Sequence, residues 1–538
     1  MNGRVAHLIP LLSLMLLSIN LRTTGQDVYQ HISYKEIYGF LDEMASERII
    51  ELNSAIKPYS RAFIAKQLEI ISLHSDRLNK RQMKELVFYL KDYNKELMPD
   101  KKFDKRFDIF YYKDSLFTFS LNPILGIQYW NNANGGNYHR WGGGDLFFYA
   151  GNHLGAYASL RDNHEDKMLS APDYLTTRTA ARYKSGQDFS EMRGGITWAW
   201  KWGGFGLVKD HYEWGNYYHY PNIFSSKTPS ITHLKFNLKP VRWFEFNYMH
   251  GWLASGVVDS TRSYTYTNSY GTSTRIVYRQ KYLAANMFTF KPFKDFYFSI
   301  GNSIIYSDTD PNPAYLIPFL FYKSVDHSTN QDLSNEGGQN SCLYFDISSR
   351  QINHLHLYTS VFFDDLSTSR LFENGHFDYY SFKAGARLSN LVNNLFLTVE
   401  YTQTYPLVYK HNMPTTTFES NFYNMGHYLQ DNTREIYLDL IYRPIRGLTL
   451  TCWYDIAQKG PDHEELGTNR TAVVEMYLDT VIWQNNTIGF SARYQVIHDV
   501  FAFFELEYAT ITGEIEKYTP PYFRNSPTTV SVGINYGF

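Results

Sequence analysis

The sequence predicts an all-β fold, a transmembrane antiparallel β-barrel of about eighteen strands within a range of about 16–20, preceded by an N-terminal region of three helices. Three observations carry this expectation. Aromatic side chains make up 17% of the 538 residues, with 46 Tyr, 38 Phe and 10 Trp, although the mean hydropathy is −0.40. A polar chain so rich in aromatics results when lipid-facing residues alternate with polar lumenal ones between two aromatic girdles. From about residue 115 onward the apolar pattern has period two, in runs that match the ~9–11 residues a tilted membrane strand needs. Finally, the chain ends in "TTVSVGINYGF", which places Val530, Val532, Ile534, Tyr536 and Phe538 on one face of a strand.

Residues 1–25 read as a secretory signal peptide. Arg4 supplies the positive end and Leu8 to Leu17 the apolar core. Thr23 and Gly25 are the small residues before a cleavage expected ahead of Gln26. The apolar core is about ten residues, half of what a spanning helix requires, and no later run is more apolar.

Residues 26–98 carry the helical period and are expected on the periplasmic side. Ser33 and Glu36 have capping-box spacing ahead of Ile37, Phe40, Leu41 and Met44. Pro58 and a cap at Ser60 precede Ile64, Leu68 and Ile71, and a third segment aligns Met83, Leu86, Val87 and Leu90. Three such stripes must pack together, on the barrel, or both. Residues 99–116 form a charged linker containing "PDKKFDKRF", and residues 117–538 form the barrel.

Within the barrel, "NLFLTVEYTQTY", "EIYLDLIYR", "VVEMYLDTVIW" and "FFELEYATIT" read as strands. Their inner parity carries Glu435, Asp439, Glu475, Asp479, Glu505 and Glu507. The alternation breaks within 162–192, where a strand is expected to be hidden, and again between 458 and 527. Short turns at 239–240, 291–295 and 443–447 separate long polar connections near 253–280, 307–340, 365–378 and 406–433, the asymmetry of periplasmic turns and outer loops. A terminal strand ending in aromatics on its lipid face, Tyr536 and Phe538, is the signal expected to engage outer-membrane barrel-assembly machinery. Trp198, Trp200 and Trp202 alternate toward the lipid interface, whereas Lys209 and Asp210 point to opposite faces. Cys342 and Cys452 fall on opposite parities, so no disulfide is favoured.

The segments "FLDEMASERIIELNSAIKPYSRAFIAKQLE", "WKWGGFGLVKDHYEWG" and "KPVRWFEFNYMHGWL", in this order behind a leader, resemble the capsule-assembly Wzi family, its divergent members above all. The resemblance implies an outer-membrane barrel of about eighteen strands in a Gram-negative bacterium, with its helices on the periplasmic side. It implies a lectin that holds capsular polysaccharide on the cell surface, not an enzyme.

The loops suit that role. In "STRSYTYTNSYGTSTR", Tyr264, Tyr266 and Tyr270 alternate with hydroxyls between Arg262 and Arg275. Aromatic faces stack on sugar rings, and guanidinium groups and hydroxyls satisfy acidic or neutral sugar oxygens. Trp141 in "NYHRWGGG" and Trp214, Tyr217 and Tyr218 in "EWGNYYHY" complete the candidate sugar-binding set. A plugging polar network is the plainer reading of the 196–231 region. A different function, a diffusion channel for small solutes, remains open because a barrel this wide has a lumen lined with carboxylates.

No catalytic set, cofactor or metal site is expected: His354 and His356 share one strand face but lack further ligands at metal spacing. With 51 basic and 53 acidic residues there is no reason to expect nucleic acid. The expected partners are surface polysaccharide, outer-membrane lipid and the assembly machinery, with the protein itself a monomer.

Overall fold

A computed structural model describes residues 27–97, 103–184, 186–329, 338–365, 379–463 and 476–538. The expected signal peptide and Glu475 lie outside them.

Three helices come first: α1 (Lys35–Ser46), α2 (Arg61–Leu73) and α3 (Lys80–Leu97). The Ser60 hydroxyl caps α2 as expected, accepting from the Phe63 N–H at 3.2 Å. The capping box at Ser33 and Glu36 does not form. The Ser33 hydroxyl is engaged 2.7 Å from His31 Nδ1, and α1 begins only after Tyr34. Ile37, Phe40, Leu41 and Met44 pack on Ile64, Leu68, Ile71, Leu86, Tyr89 and Tyr93, so the helices share a core of their own. Val87 is exposed instead of buried, because α3 turns Arg81, Gln82, Glu85 and Asp92 inward.

Eighteen strands then close a barrel. They run β1 (Phe117–Asn132), β2 (Gly135–Ala150), β3 (Leu154–Glu165), β4 (Asp188–Trp200), β5 (Gly203–Asp210) and β6 (Ile231–Val241). Next come β7 (Phe244–Val258), β8 (Tyr278–Phe293), β9 (Phe296–Ser307), β10 (Asn340–Ser349), β11 (Leu355–Asp365) and β12 (Tyr379–Ser389). The last six are β13 (Leu395–Thr404), β14 (Thr433–Tyr442), β15 (Leu448–Lys459), β16 (Trp483–Ile497), β17 (Val500–Gly513) and β18 (Thr528–Tyr536). Each pairs antiparallel with the next, and β18 closes on β1 with Val530 opposite Asn131 and Tyr536 opposite Leu125. Closure leaves no unpaired edge in the wall.

The further strand expected within 162–192 is absent among the described residues: β3 ends at Glu165 and β4 begins at Asp188. The described part of "VVEMYLDTVIW", from Met476, holds no strand before Trp483 either. It turns, with Asp479 exposed, until β16 begins at Trp483. Alternation alone did not distinguish a polar connection from a wall segment there. Elsewhere parity holds. Ile196, Trp198, Leu397, Val399, Val532 and Ile534 face outward, while Glu435 and Asp439 are buried within. Cys452 is exposed on the outer parity and Cys342 is buried on the inner one, both as free thiols.

Among the described residues, five lumen-facing glycines sit directly opposite an aromatic whose ring folds over them. The pairs are Gly126–Trp141, Gly301–Tyr344, Gly385–Tyr358, Gly489–Trp453 and Gly533–Phe503. In each, the ring lies where a β-carbon would stand; at Gly385 that atom would come within 2.2 Å of the Tyr358 ring. The aromatic covers backbone that glycine leaves bare and pins the register.

The terminal Phe538 corrects the expectation for the final strand. Parity holds through Tyr536, which is half-buried. Gly537 then takes φ 79° and turns the chain inward. Phe538 is 6% exposed, 4.3 Å from the His31 ring and 5.7 Å from the Arg193 guanidinium. A short strand, Phe110–Lys113, pairs farther along the same edge of β1, opposite Leu121–Thr118.

The helices sit at the short-turn end of the barrel. Glu43 of α1 meets Arg81, the Gln82 amide (2.7 Å), Asn390 of the β12–β13 turn, and Arg443 of the β14–β15 turn (3.2 Å). Arg48 pairs with Asp295 (3.1 Å) and Lys291 with Glu51 (2.5 Å), while His354 N–H donates to the Ser46 carbonyl (2.8 Å). On α3, Asp92 lies among Arg61, Lys95 and Arg106. Burial raises the Glu43 and Asp92 carboxyls, but the surrounding cations outweigh it and hold both below their ordinary values.

Two outcomes follow from this architecture. Gly385→Ala should destabilise the folded barrel by about 1–3 kcal/mol. Gly142→Ala, whose nearest neighbour is Leu125 at 3.7 Å, should be neutral, both read from the temperature of the gel-mobility shift. Because Glu43 and Asp92 titrate low, their stabilisation is complete above the ordinary carboxylate pKa of about 4 and is lost as pH falls through their folded values. Acidification below about pH 3 should therefore abolish the helical circular-dichroism signal before the strand signal.

Candidate functional site

Two candidate regions emerge, the barrel interior and a projecting hairpin at its long-loop end. An eighteen-strand barrel leaves a lumen that its own side chains do not fill. Here the β5–β6 connection, residues 211–230, and the β13–β14 connection, residues 405–432, fold back into it. Ile223, Phe224, Val408, Phe418 and Met425 are fully buried against Leu283, Met287, Ile305 and Phe362 of the wall. From the opposite end, Ile56 and Lys57 reach up to pair, backbone to backbone, with Trp214 and Glu213. The helical region and the infolded loop thus meet in mid-barrel.

This placement corrects three of the sequence candidates. Trp214 is 3% exposed, packed edge-on against Phe224 at 5.3 Å and Tyr344 at 6.1 Å. Tyr217 donates its hydroxyl to Glu213 and receives the Lys57 ammonium over its ring at 3.8 Å. The Tyr218 hydroxyl donates to Asp42 Oδ2 at 2.6 Å and lies 2.7 Å from His356 Nδ1, while its N–H donates to Glu400 at 2.5 Å. These are plug residues, not outer-loop ligands. Trp141 is also repositioned: it stands in β2, facing inward over Gly126, with the Arg161 guanidinium 5.3 Å from its ring. The expected shared face of His354 and His356 dissolves, because His354 lies in the turn before β11 with φ 67° and only His356 belongs to the strand.

Around Tyr218 the plug carries a charged group that no short motif announces. Arg350 donates to Asp42 at 2.5 Å and to the Ser54 hydroxyl at 3.0 Å, and Arg387 lies 4.2 Å over the Tyr218 ring. Burial raises the Asp42 carboxyl, yet Arg350, His356 and Arg387 hold it well below the ordinary range. Lys383 pairs with Glu400 at 2.9 Å. Only the parity of each strand hinted that these side chains face inward.

Tyr264, Tyr266 and Tyr270 are where the sequence placed them. Tyr264–Asn268 and Gly271–Arg275 form a hairpin between β7 and β8, exposed along both strands. Tyr264 opposes Arg275 and Tyr266 opposes Ser273, so one face presents two rings 6.3 Å apart with a guanidinium beside them. The other face pairs Thr265 with Thr274 and Thr267 with Thr272, hydroxyls 3.3 and 3.1 Å apart. Tyr270 at the tip is 97% exposed, and Arg262 is exposed at the base. Two groups among the described residues bring imidazole and carboxylate atoms within 4.8 Å: His31, Glu191 and His211, and His219, Glu435 and Asp455.

No family model matches the chain. No curated protein matches it either. Among solved structures, the chain is similar to Wzi of Escherichia coli, described as an outer-membrane protein involved in group 1 capsule assembly and as a carbohydrate-binding β-barrel. The TM-score is 0.57 at 12% identity, over 95% of this chain and 99% of that one. Pseudomonas aeruginosa OccK3 (OpdO) superposes with a TM-score of 0.41 at 9% identity, over 78% of this chain and 95% of that one. Its OprD gives 0.41 at 9% identity, over 78% and 92%. At these identities the likeness to Wzi is one of fold.

Truncating Trp214 to Ala should cost about 3–5 kcal/mol by emptying a packed site. The expected readout is a lower unfolding temperature with any ligand binding at the loops intact.

Proposed function

We propose that the protein is a non-enzymatic outer-membrane barrel of a Gram-negative cell that binds capsular or other surface polysaccharide at its outer loops and helps hold the capsule on the cell. The observation that carries this reading is the projecting hairpin, with its tyrosine face, its threonine face and its flanking arginines. Rings such as Tyr264 and Tyr266 offer flat apolar faces to sugar rings, and Arg262 and Arg275 offer fixed donors to carboxylates or hydroxyls. The fold shared with a barrel described as carbohydrate-binding supports the same reading. The infolded connections and helices that occupy the lumen favour a binding role over a diffusion channel. The protein acts as a monomer in the lipid bilayer, into which the barrel-assembly machinery inserts it.

The test compares cells with and without the gene for capsule in the cell-bound fraction and in the medium. Capsule shifting to the medium at constant synthesis is the expected result; unchanged partition would refute the reading. Replacing Tyr264, Tyr266 and Tyr270 together by Ala should reproduce the shift while leaving the gel-mobility transition of the barrel unchanged.

A further inference from the structure

We propose that His219, Glu435 and Asp455 form a lumenal site for a divalent transition-metal cation of the zinc class, with His427 set against Glu435 as its positioning residue, so that both infolded connections are tied to the barrel wall. His219 comes from the 211–230 segment and His427 from the 405–432 segment. Glu435 and Asp455 come from β14 and β15, where Tyr437 opposes Asp455, making the two carboxylates diagonal neighbours on the inner face.

The spacing suits one ion. His219 Nε2 stands 3.5 Å from Glu435 Oε1, and His427 Nε2 stands 3.3 Å from Glu435 Oε2. The ligand atoms of His219, Glu435 and Asp455 all lie within 4.8 Å of one another. Tetrahedral zinc with bonds of about 2.0–2.1 Å has ligand-to-ligand edges of about 3.3–3.4 Å. Imidazole and carboxylate donors are a set that zinc accepts.

A second observation points to a missing partner. His427 is 0%, Glu435 1% and Asp455 7% exposed. Among the described residues, His427 Nδ1 and Asp455 Oδ1 have no hydrogen-bond partner, and His219 Nε2 and His427 Nε2 have only their long contacts to Glu435, at 3.5 and 3.3 Å. Leaving that many polar atoms unmatched in one buried place is costly, and a cation that accepts their lone pairs removes the cost. Glu435 Oε1 also accepts from the Tyr428 hydroxyl, which fixes the carboxylate between the two imidazoles. The nearby Lys383 is spent on Glu400 and does not neutralise the pair. By contrast, the His31, Glu191 and His211 group adjoins Phe538, over whose ring Arg161 and Arg193 lie at 5.8 and 5.7 Å.

The experiment uses the full mature chain in detergent, stripped with chelator and equilibrated with zinc alone. The expected result is one zinc retained per chain after gel filtration, with a higher unfolding temperature. His427→Ala and Glu435→Gln should weaken retention about tenfold or more, the loss seen even for outer-shell partners of a metal. Cobalt in place of zinc should give the visible spectrum of a tetrahedral nitrogen–oxygen site. Should a variant not fold, zinc protection of the partly exposed His219 against diethylpyrocarbonate in the unaltered protein, mapped by mass spectrometry, decides the question. Absence of retained zinc, equal retention by folded variants, or absence of protection would each overturn the proposal.

Discussion

Eighteen paired strands satisfy every wall hydrogen bond around the ring, and the same closure encloses more space than inward side chains occupy. The remaining structure answers that excess volume. Helices α1 to α3 enter from the short-turn end, two connections fold in from the other, and the two fillings join where Ile56 pairs with Trp214. Filling a polar cylinder with ordinary apolar core would strand the carboxylates and amines of its wall. The filling is therefore apolar where it meets Leu283, Met287 and Phe362, and charged where it meets Asp346, Glu400 and Arg443.

The charged contacts are expensive individually, since a buried ion pair barely repays its desolvation. What they supply is position. Glu43 accepts from two arginines and two amides drawn from α3 and two separate turns, so only one docking of the helices satisfies it. The five glycine–aromatic pairs do the comparable job within the wall, where each ring would clash with any other residue opposite it.

Sequence periodicity revealed the wall well because lipid on one side and polar lumen on the other force strict alternation. The count of eighteen and the outward face of β18 were legible for that reason. The interior was not, because its contacts join residues hundreds of positions apart. Trp214 and Tyr218 look like loop aromatics when read locally, and only the inward path of 211–230 makes them core. His219, His427, Glu435 and Asp455 come from four segments, whereas ligand spacing within one strand offers only His354 and His356. Phe538 departs from its parity because Gly537 turns the chain at positive φ and seats the ring on His31, a contact invisible within eleven residues. The hairpin carrying Tyr264 was the exception, since its strands and its turn are contiguous.

The docked helices have a consequence for how the chain reaches this state. Glu36 of α1 meets Arg493, 457 positions later, and Arg81 meets Asn394, 313 positions later. Contacts so distant close late, because the intervening loop must first lose its entropy. The helices precede nearly all of their wall partners in the chain. The apolar core that α1, α2 and α3 share lets them wait as a preformed cork, whose seat is completed only when the last turns of the wall are in place.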